Sequence, residues 1–200
     1  MVRIVTERKS ADERTADLLT AAEAILARNR RVTVSEIARE AGIASGTFYL
    51  YFPSKAHLEA TLIERYVLGA VDRAEQAMAD GPSWIGRFEA VVQAMVAHAL
   101  DHRPVLELQV LHTPTAGTRE TIAAGTDRMV SLLTQILTGG TETGEFEVDD
   151  PSMTAALVYH GVDGVLRSSV TFERELDPDR LVATLHHNVR QMLVHEIRLD

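Results

Sequence analysis

Cysteine is missing from this chain of 200 residues. Its absence excludes disulfides, thiolate metal ligands and a cysteine nucleophile, and it is compatible with a reducing compartment. Long apolar runs are missing too: none nears the roughly 20 residues that a helix needs to cross a bilayer. The opening stretch MVRIVTERKSADERTADLL has no uninterrupted apolar core of the signal-peptide kind. The expectation is therefore a cytoplasmic protein without membrane contact. Sustained period-2 alternation, the mark of a half-buried strand, does not occur, nor does a convincing hairpin turn. There is no internal repeat and no low-complexity tract. Signatures of enzyme chemistry are also absent: no G-x-S-x-G elbow, phosphate-binding loop, G-x-G-x-x-G or H-E-x-x-H, and no Glu-x-x-His pair of a di-iron bundle. Neither an enzyme nor a cofactor is expected. An active site assembled in space from scattered His and Asp residues is the competing class, and a ligand carrier that does not bind DNA is a third.

What is present is a globular composition, 46% hydrophobic, with an uneven charge. The formal net charge of −9 looks unsuited to nucleic acid. Yet residues 1–60 hold 9 Lys and Arg against 8 Asp and Glu, a net +1, whereas residues 61–200 hold 11 against 21, a net −10. A near-neutral head binds a polyanion if its cations cluster, as Arg28, Arg30, Arg31, Arg39 and Lys55 would. Residues 1–9 read as an arm carrying Arg3, Arg8 and Lys9.

The pattern predicts an all-α fold. Ser10-Ala-Asp-Glu13 is a capping box, and it opens a helix ending near Asn29 with Leu18, Leu19, Ala22, Ile25 and Leu26 in one stripe. Thr33-Val-Ser-Glu36 is a second capping box, for a short helix through about Ala41 that Gly42 stops. A helix from Ser45 to about Phe52 follows, and then one capped by Ser54 that runs to about Asp80. Five more are predicted near 83–102, 104–113, 117–138, 151–172 and 178–197. The last two begin with Asp-Pro, an acidic N-cap with proline at the first helical position. Gly139-Gly140 through Asp150 reads as the longest interior loop. Three parts follow: an N-terminal helix-turn-helix domain over 1–53, a connecting helix over 54–80, and a helical ligand-binding and dimerisation domain over 81–200.

Residues 34–53, VSEIAREAGIASGTFYLYFP, meet the demands of a helix-turn-helix. Two short helices crossing steeply need a small residue at the contact, and Ala38 supplies it. The turn needs a residue tolerant of positive φ, and Gly42 stands there. Ile37, Ala41, Ile43 and Phe48 plug the angle between the helices, and Phe48 and Phe52 are assigned to the core.

Residues 18–62 resemble the DNA-binding region of the tetracycline-repressor (TetR) family. The likeness lies in an alanine-rich first helix followed by Thr33-Val, Ile37-Ala, Ala41-Gly-Ile, Gly46-Thr-Phe-Tyr, Tyr51-Phe and Ser54-Lys. Gly144-Glu-Phe146 and Asp150-Pro151 resemble a further family segment. The resemblance implies that the helix at Ser45–Tyr51 enters the major groove, with Ser45, Gly46, Thr47 and Tyr49 nearest the DNA. It further implies that Lys55 grips a phosphate beside the amides at the start of its helix, with Thr33 and Tyr51 as further phosphate ligands. Ala44 and Ser45 depart from the hydroxyl and basic residues frequent at those positions in the family, so no operator sequence is inferred.

In the helix near 83–102, Trp84, Phe88, Val91, Met95, His98 and His102 share one face. Ile122, Thr126, Met129 and Leu133 form a stripe on the 117–138 helix, and His112, Tyr159 and Asp163 face the same region in this reading. Apolar walls with a few polar groups describe a pocket for a mostly apolar small molecule. The candidate ligand residues are Trp84, Phe88, Met95, His98, His102, His112, Thr126, Met129, Tyr159 and Asp163. His98 and His102 also have the i, i+4 spacing of metal ligands, though no third ligand is near in sequence and no metal is assigned. Ligand, metal and plain core remain open for this pair.

Met153, Leu157, Gly161 and Gly164 on one late helix, and Leu181, Leu185, Val189, Met192 and Leu193 on the next, predict a homodimer through helices 151–172 and 178–197. The expected partners are thus a second copy, palindromic double-stranded DNA and a small-molecule effector. The function expected is that of a ligand-responsive transcriptional regulator, a repressor released from its operator by the effector.

Overall fold

The computed structural model describes residues 10–28, 32–111 and 113–193, and within helices the side chains of Asp80, Val189, Met192 and Leu193 are not described. The arm with Arg3, Arg8 and Lys9, the cations Arg30 and Arg31, and His112 lie outside the described residues, as do the side chains of Val189, Met192 and Leu193 in the expected dimer stripe. Among the described residues there are nine helices and no strand, as the sequence predicts. The chain divides into two compact units between Leu62 and Ile63, inside a helix.

The first unit contains α1 (Ala11–Arg28), α2 (Val34–Glu40), α3 (Ser45–Phe48) and the first turns of α4 (Lys55–Asp80). Both predicted capping boxes form. The Ser10 amide donates to Glu13 Oε2 at 2.7 Å while the Glu13 amide donates to Ser10 Oγ at 3.2 Å. Thr33 and Glu36 repeat the exchange, at 2.9 and 3.3 Å. After α2 the chain turns at Gly42, whose φ of +69° belongs to the left-handed region. The Ile43 amide returns to the Ala38 carbonyl at 2.9 Å and the Gly42 amide to Arg39 at 3.1 Å, closing a Schellman turn. That turn directs α3 across α2 over Ala38, which is fully buried with Leu18, Ile37, Phe48, Leu58 and Leu62.

α3 is shorter than the pattern predicts. Beyond Phe48 the amides of Leu50 and Tyr51 bond three residues back, at 3.1 and 3.0 Å, a tightened turn rather than α-helix. Pro53 then bars any continuation of the helix, because the residue before a proline is driven out of the α region.

The second unit packs the remainder of α4 with α5 (Trp84–Asp101), α6 (Arg103–Leu111), α7 (Ala116–Glu142), α8 (Pro151–Thr171) and α9 (Pro178–Leu193). Its core gathers Val71, Phe88, Val91, Leu133, Ile136 and Leu137. α7 runs four residues past its predicted end, so Gly139 and Gly140 are helical rather than the start of a loop. The reason is packing: a Cβ at Gly139 would overlap the Trp84 ring, and one at Gly140 the Phe146 ring. The glycines admit two aromatic rings against the helix backbone. α7 then ends in a second Schellman turn, with Gly144 at φ +77° and the Glu145 amide bonded to the Gly140 carbonyl at 2.8 Å. Glu145 also caps α5, its Oε2 accepting from the amides of Trp84 and Ile85 at 2.9 and 3.3 Å.

On α9, Leu181, Val182 and Leu185 pack against the chain's own core, with α9 lying on α5. That part of the predicted dimer stripe is engaged within one chain. The stripe on α8 is not: Met153 and Leu157 are 58% and 63% exposed, and nothing lies within 4 Å of a Cβ built on Gly161 or Gly164.

Candidate functional site

Two places hold the residues that the sequence singles out, one in each unit. In the first unit, Ser45, Gly46 and Tyr49 are exposed at α3, with Thr47 and Tyr51 half-buried. Gly46 has open space where a Cβ would stand, so the backbone there admits close approach by another molecule. Phe48 and Phe52 are buried and stack with centroids 5.7 Å apart, which anchors the turn from below. Leu50, 80% exposed, joins this surface without having been singled out in the sequence.

The polar residues at the edges are partly occupied. Lys55 Nζ lies 2.8 Å from Glu59 Oε1. The Thr33 hydroxyl donates to Glu36 Oε2 at 2.7 Å, so its proton is engaged in the cap rather than offered to a phosphate. These bonds hold the Glu36 carboxyl below its ordinary value, the Thr33 side chain acting first and its backbone amide second.

In the second unit, five helices enclose a cavity of about 60 Å³. Its apolar wall is built from Val67, Ala70, Val71, Met95, Met129 and Leu166, and its polar wall from Tyr66, His98, Gln109, Thr126, Tyr159, Asp163 and Arg167. Gly125 brings α7 close: a Cβ there would overlap Val67. Six residues of the cavity, namely Gln109, Ile122, Thr126, Tyr159, Asp163 and Arg167, also line an open groove that continues past Pro114, Arg119 and His160. The cavity therefore has a polar neck leading to solvent.

The bonds around the neck are few. Tyr159 Oη and Thr126 Oγ1 are 3.3 Å apart, and Arg167 Nε donates to Asp163 Oδ2 at 2.7 Å. Burial raises the Tyr66 phenol well above its ordinary pKa, reinforced by the nearby Asp163 charge. Burial raises Tyr159 likewise, against the opposing bond to Thr126. Both phenols are neutral donors at neutral pH. Gln109 is 6% exposed, and its Oε1 is closed off from solvent with no hydrogen-bond partner.

Of the residues predicted for a ligand, Met95, His98, Thr126, Met129, Tyr159 and Asp163 meet at this cavity. Trp84, Phe88 and His102 do not line it. Trp84 lies over Gly139, with the Arg87 guanidinium 4.5 Å from its ring, and Phe88 is 1% exposed in the core. They share the face of Met95 but sit two to three turns nearer the start of α5, opposite the far end of α7. His102 caps α5, and its ring lies 4.6 Å from that of His98.

His98 Nε2 is 2.9 Å from the Tyr66 carbonyl. A carbonyl only accepts, so this nitrogen carries the proton and is unavailable to a metal. Burial lowers the His98 pKa, with the bond to Tyr66 opposing. Among the described residues no group of three or more His, Asp or Glu side chains is placed to hold a metal ion, and no helix is long and apolar enough to cross a membrane.

Tyr66, Gln109 and Arg167 were not singled out in the sequence. Gln109 carried a signal, as the one uncharged polar residue in the apolar run VLELQVL. Tyr66 had none, because α4 reads from its pattern as a connector.

The chain is similar to known proteins in both units. Residues 18–60 match the family described as bacterial regulatory proteins, tetR family, and residues 81–167 match a tetracyclin repressor-like C-terminal domain. The chain is 39% identical over 80 residues to the HTH-type transcriptional regulator EthR of Mycobacterium tuberculosis H37Rv, a match over 39% of this chain and 37% of EthR. It is 26% identical over 185 residues to the fatty acid metabolism regulator protein of Bacillus subtilis, covering 90% of this chain and 93% of that one. It shares its fold with the crystal structure of FadR from B. subtilis in complex with stearoyl-CoA, with a TM-score of 0.69 at 21% identity over 86% of this chain and 95% of FadR.

Proposed function

Because the chain belongs to the tetR family of bacterial regulatory proteins, we propose that it is a ligand-responsive DNA-binding transcriptional regulator, a cytoplasmic repressor released from its operator by a small molecule. The observation that carries this reading is the first unit: a Schellman turn at Gly42 sets α3 across α2, buries Phe48 and leaves Ser45, Gly46 and Tyr49 exposed. In this reading α3 enters the major groove with Ser45, Gly46, Thr47 and Tyr49 nearest the DNA, Gly46 letting the backbone approach closely. Tyr51 and Lys55 contact phosphates, and Thr33 does so only once Glu36 is displaced from its hydroxyl.

The homodimer forms through α8 and α9, and on α8 the exposed Met153, Leu157, Gly161 and Gly164 give an apolar strip with two close-approach positions. Two such chains present two recognition helices to successive major grooves of a palindrome, about 34 Å apart. The effector occupies the cavity around Met95, His98, Thr126, Met129, Tyr159 and Asp163. Tyr66 on α4 lines that cavity, and α4 continues into the first unit, where it supplies Leu58 and Leu62 to the core. A ligand that favours a displaced α4 separates the two recognition helices from their spacing. A coupling of about 1–3 kcal/mol changes DNA affinity about 5–150-fold. The FadR structure holds stearoyl-CoA, so a long acyl chain is the control against which the compact ligands below are read.

The experiment is selection of binding sites from a random DNA pool, with a Thr47→Ala, Tyr49→Ala, Lys55→Ala variant beside the wild type. Enrichment of an inverted repeat by the wild type alone is expected. A folded wild type that enriches nothing, with and without the ligands tested below, would remove the regulator reading.

A further inference from the structure

The cavity itself points to the kind of molecule it takes, an inference that rests on the regulator reading above. Its deep wall is apolar, formed by Ala70, Val71, Met95 and Met129. At about 60 Å³ it is less than half the roughly 150 Å³ of an engineered protein cavity that binds benzene. A long hydrocarbon chain does not fit; a compact apolar tip does. The neck is different in kind. Gln109 is more than nine-tenths buried there and lines both cavity and groove, yet its Oε1 has no hydrogen-bond partner. A buried acceptor left unpaired is costly, and on the polar wall of this cavity the Gln109 amide, with its unpaired oxygen, is the group that a bound polar atom would satisfy. Across the neck, the hydroxyls of Thr126 and Tyr159 meet only at 3.3 Å, a long O–H···O distance, so both have capacity for a stronger partner. The groove outside offers cations: Arg167 is paired with Asp163, while Arg119 donates to the neutral Pro114 carbonyl.

We propose that the effector is a compact hydroxy acid, with its hydroxyl at Gln109, its short apolar end against Met95 and Met129, and its carboxylate toward Arg119 in the groove. A hydroxyl both donates and accepts. The terminal amide torsion of glutamine is broad and roughly two-fold, so a hydroxyl satisfies Gln109 whichever end of the amide faces it. A plain hydrocarbon chain leaves the amide unpaired and loses the Thr126 and Tyr159 hydroxyls as partners.

The test is a set of matched pairs: straight-chain carboxylic acids of four to eight carbons, each beside its 2-, 3- and terminally hydroxylated counterparts, with stearic acid as the long-chain control. Binding to the full chain is read by titration calorimetry and by the shift in melting temperature, for the wild type and for Gln109→Leu. At least one hydroxy acid is expected to bind the wild type ten-fold or more tighter than its plain partner, and Gln109→Leu is expected to erase that preference. The unliganded Gln109→Leu chain is expected to melt at a higher temperature than the wild type, since the variant removes an unpaired buried amide. Plain and hydroxylated acids binding alike, or a preference that survives in Gln109→Leu, would overturn the assignment. So would tighter binding of stearic acid, a Gln109→Leu chain that melts lower, or no binding by any pair. In those cases the DNA selection still decides the regulator reading independently.

Discussion

The two units satisfy their polar groups in different ways. In the first, the helix caps and the turn close on neighbours in sequence, Ser10 with Glu13, Thr33 with Glu36 and Ile43 with Ala38, and Arg14 and Arg28 tie α1 to the end of α2 at the Ala41 carbonyl and Glu40. Its core of Leu18, Ile37, Phe48 and Leu58 is sealed. In the second unit, long helices meet around a void, and at its neck a buried glutamine oxygen has no partner. A unit that presents a fixed surface is completed by its own chain, whereas a unit that receives a small molecule keeps polar groups open to it. Satisfying a buried amide from outside is worth more than adding a hydrogen bond at the surface, because the amide has already lost its water.

The sharpest way to break this contrast is in the sealed core. Phe48→Ala removes a fully buried ring that packs against the Phe52 ring and meets the Tyr49 ring edge to face. It should cost about 3–5 kcal/mol, measured by denaturant unfolding, with the helix-turn-helix losing protection from hydrogen exchange before the second unit does. A loss below 1 kcal/mol would show that this core is not tightly packed. In the second unit, Gly140→Ala places a methyl group into the Phe146 ring. The expected loss is about 1–3 kcal/mol, the usual range for overpacking. A neutral result would mean that Phe146 moves aside freely, and the account of why α7 continues through its glycines would fall.

Smaller effects sharpen the comparison. Thr33→Ala removes both the side-chain acceptor and the partner of Glu36, at a cost of about 1 kcal/mol, and Thr33→Ser should restore it. Two pH effects act in the same direction at different places. The Glu36 carboxyl is held below its ordinary value by Thr33, so its contribution is present above that value and lost as acid protonates it. His98 is likewise lowered, by burial, and the unfolded chain takes up a proton first as pH falls. The second unit's stability should therefore be full above about 6.5, the ordinary histidine value, and decline below it. His98→Gln should flatten the slope just below pH 6.5 and leave the more acidic slope from Glu36 in place. An unchanged slope would mean that another group carries the titration.

Much of the fold was legible because its instructions are short-range. Capping boxes, the Gly42 turn and the Asp-Pro start of α8 each involve residues within a few positions of one another. What was not legible depends on partners far along the chain. Gly139-Gly140 reads locally as a break, and only the rings of Trp84 and Phe146 make it a helix with a groove. Glu145 caps a helix whose first residue lies 61 positions away. At the cavity, the stripes on α5 and α7 identified Met95, His98, Thr126 and Met129, because amphipathic faces are periodic. The same periodicity included Trp84 and Phe88, since a stripe gives the face of a helix and not the level at which a void opens along it. Tyr66, Gln109 and Arg167 come from three further helices whose convergence is a matter of packing.

The central claim is that the cavity of the second unit controls what the first unit binds. The most direct measurement is the affinity of the wild type and of Thr126→Phe for the selected DNA site, by fluorescence anisotropy at fixed salt. Helicity and native mass equal to those of the wild type confirm that the variant is folded. Thr126 lines both the cavity and the groove, so a phenyl ring there fills the neck as an effector would. DNA binding weaker by about 5–150-fold is expected; equal affinity in a folded Thr126→Phe of unchanged native mass would contradict control by the cavity.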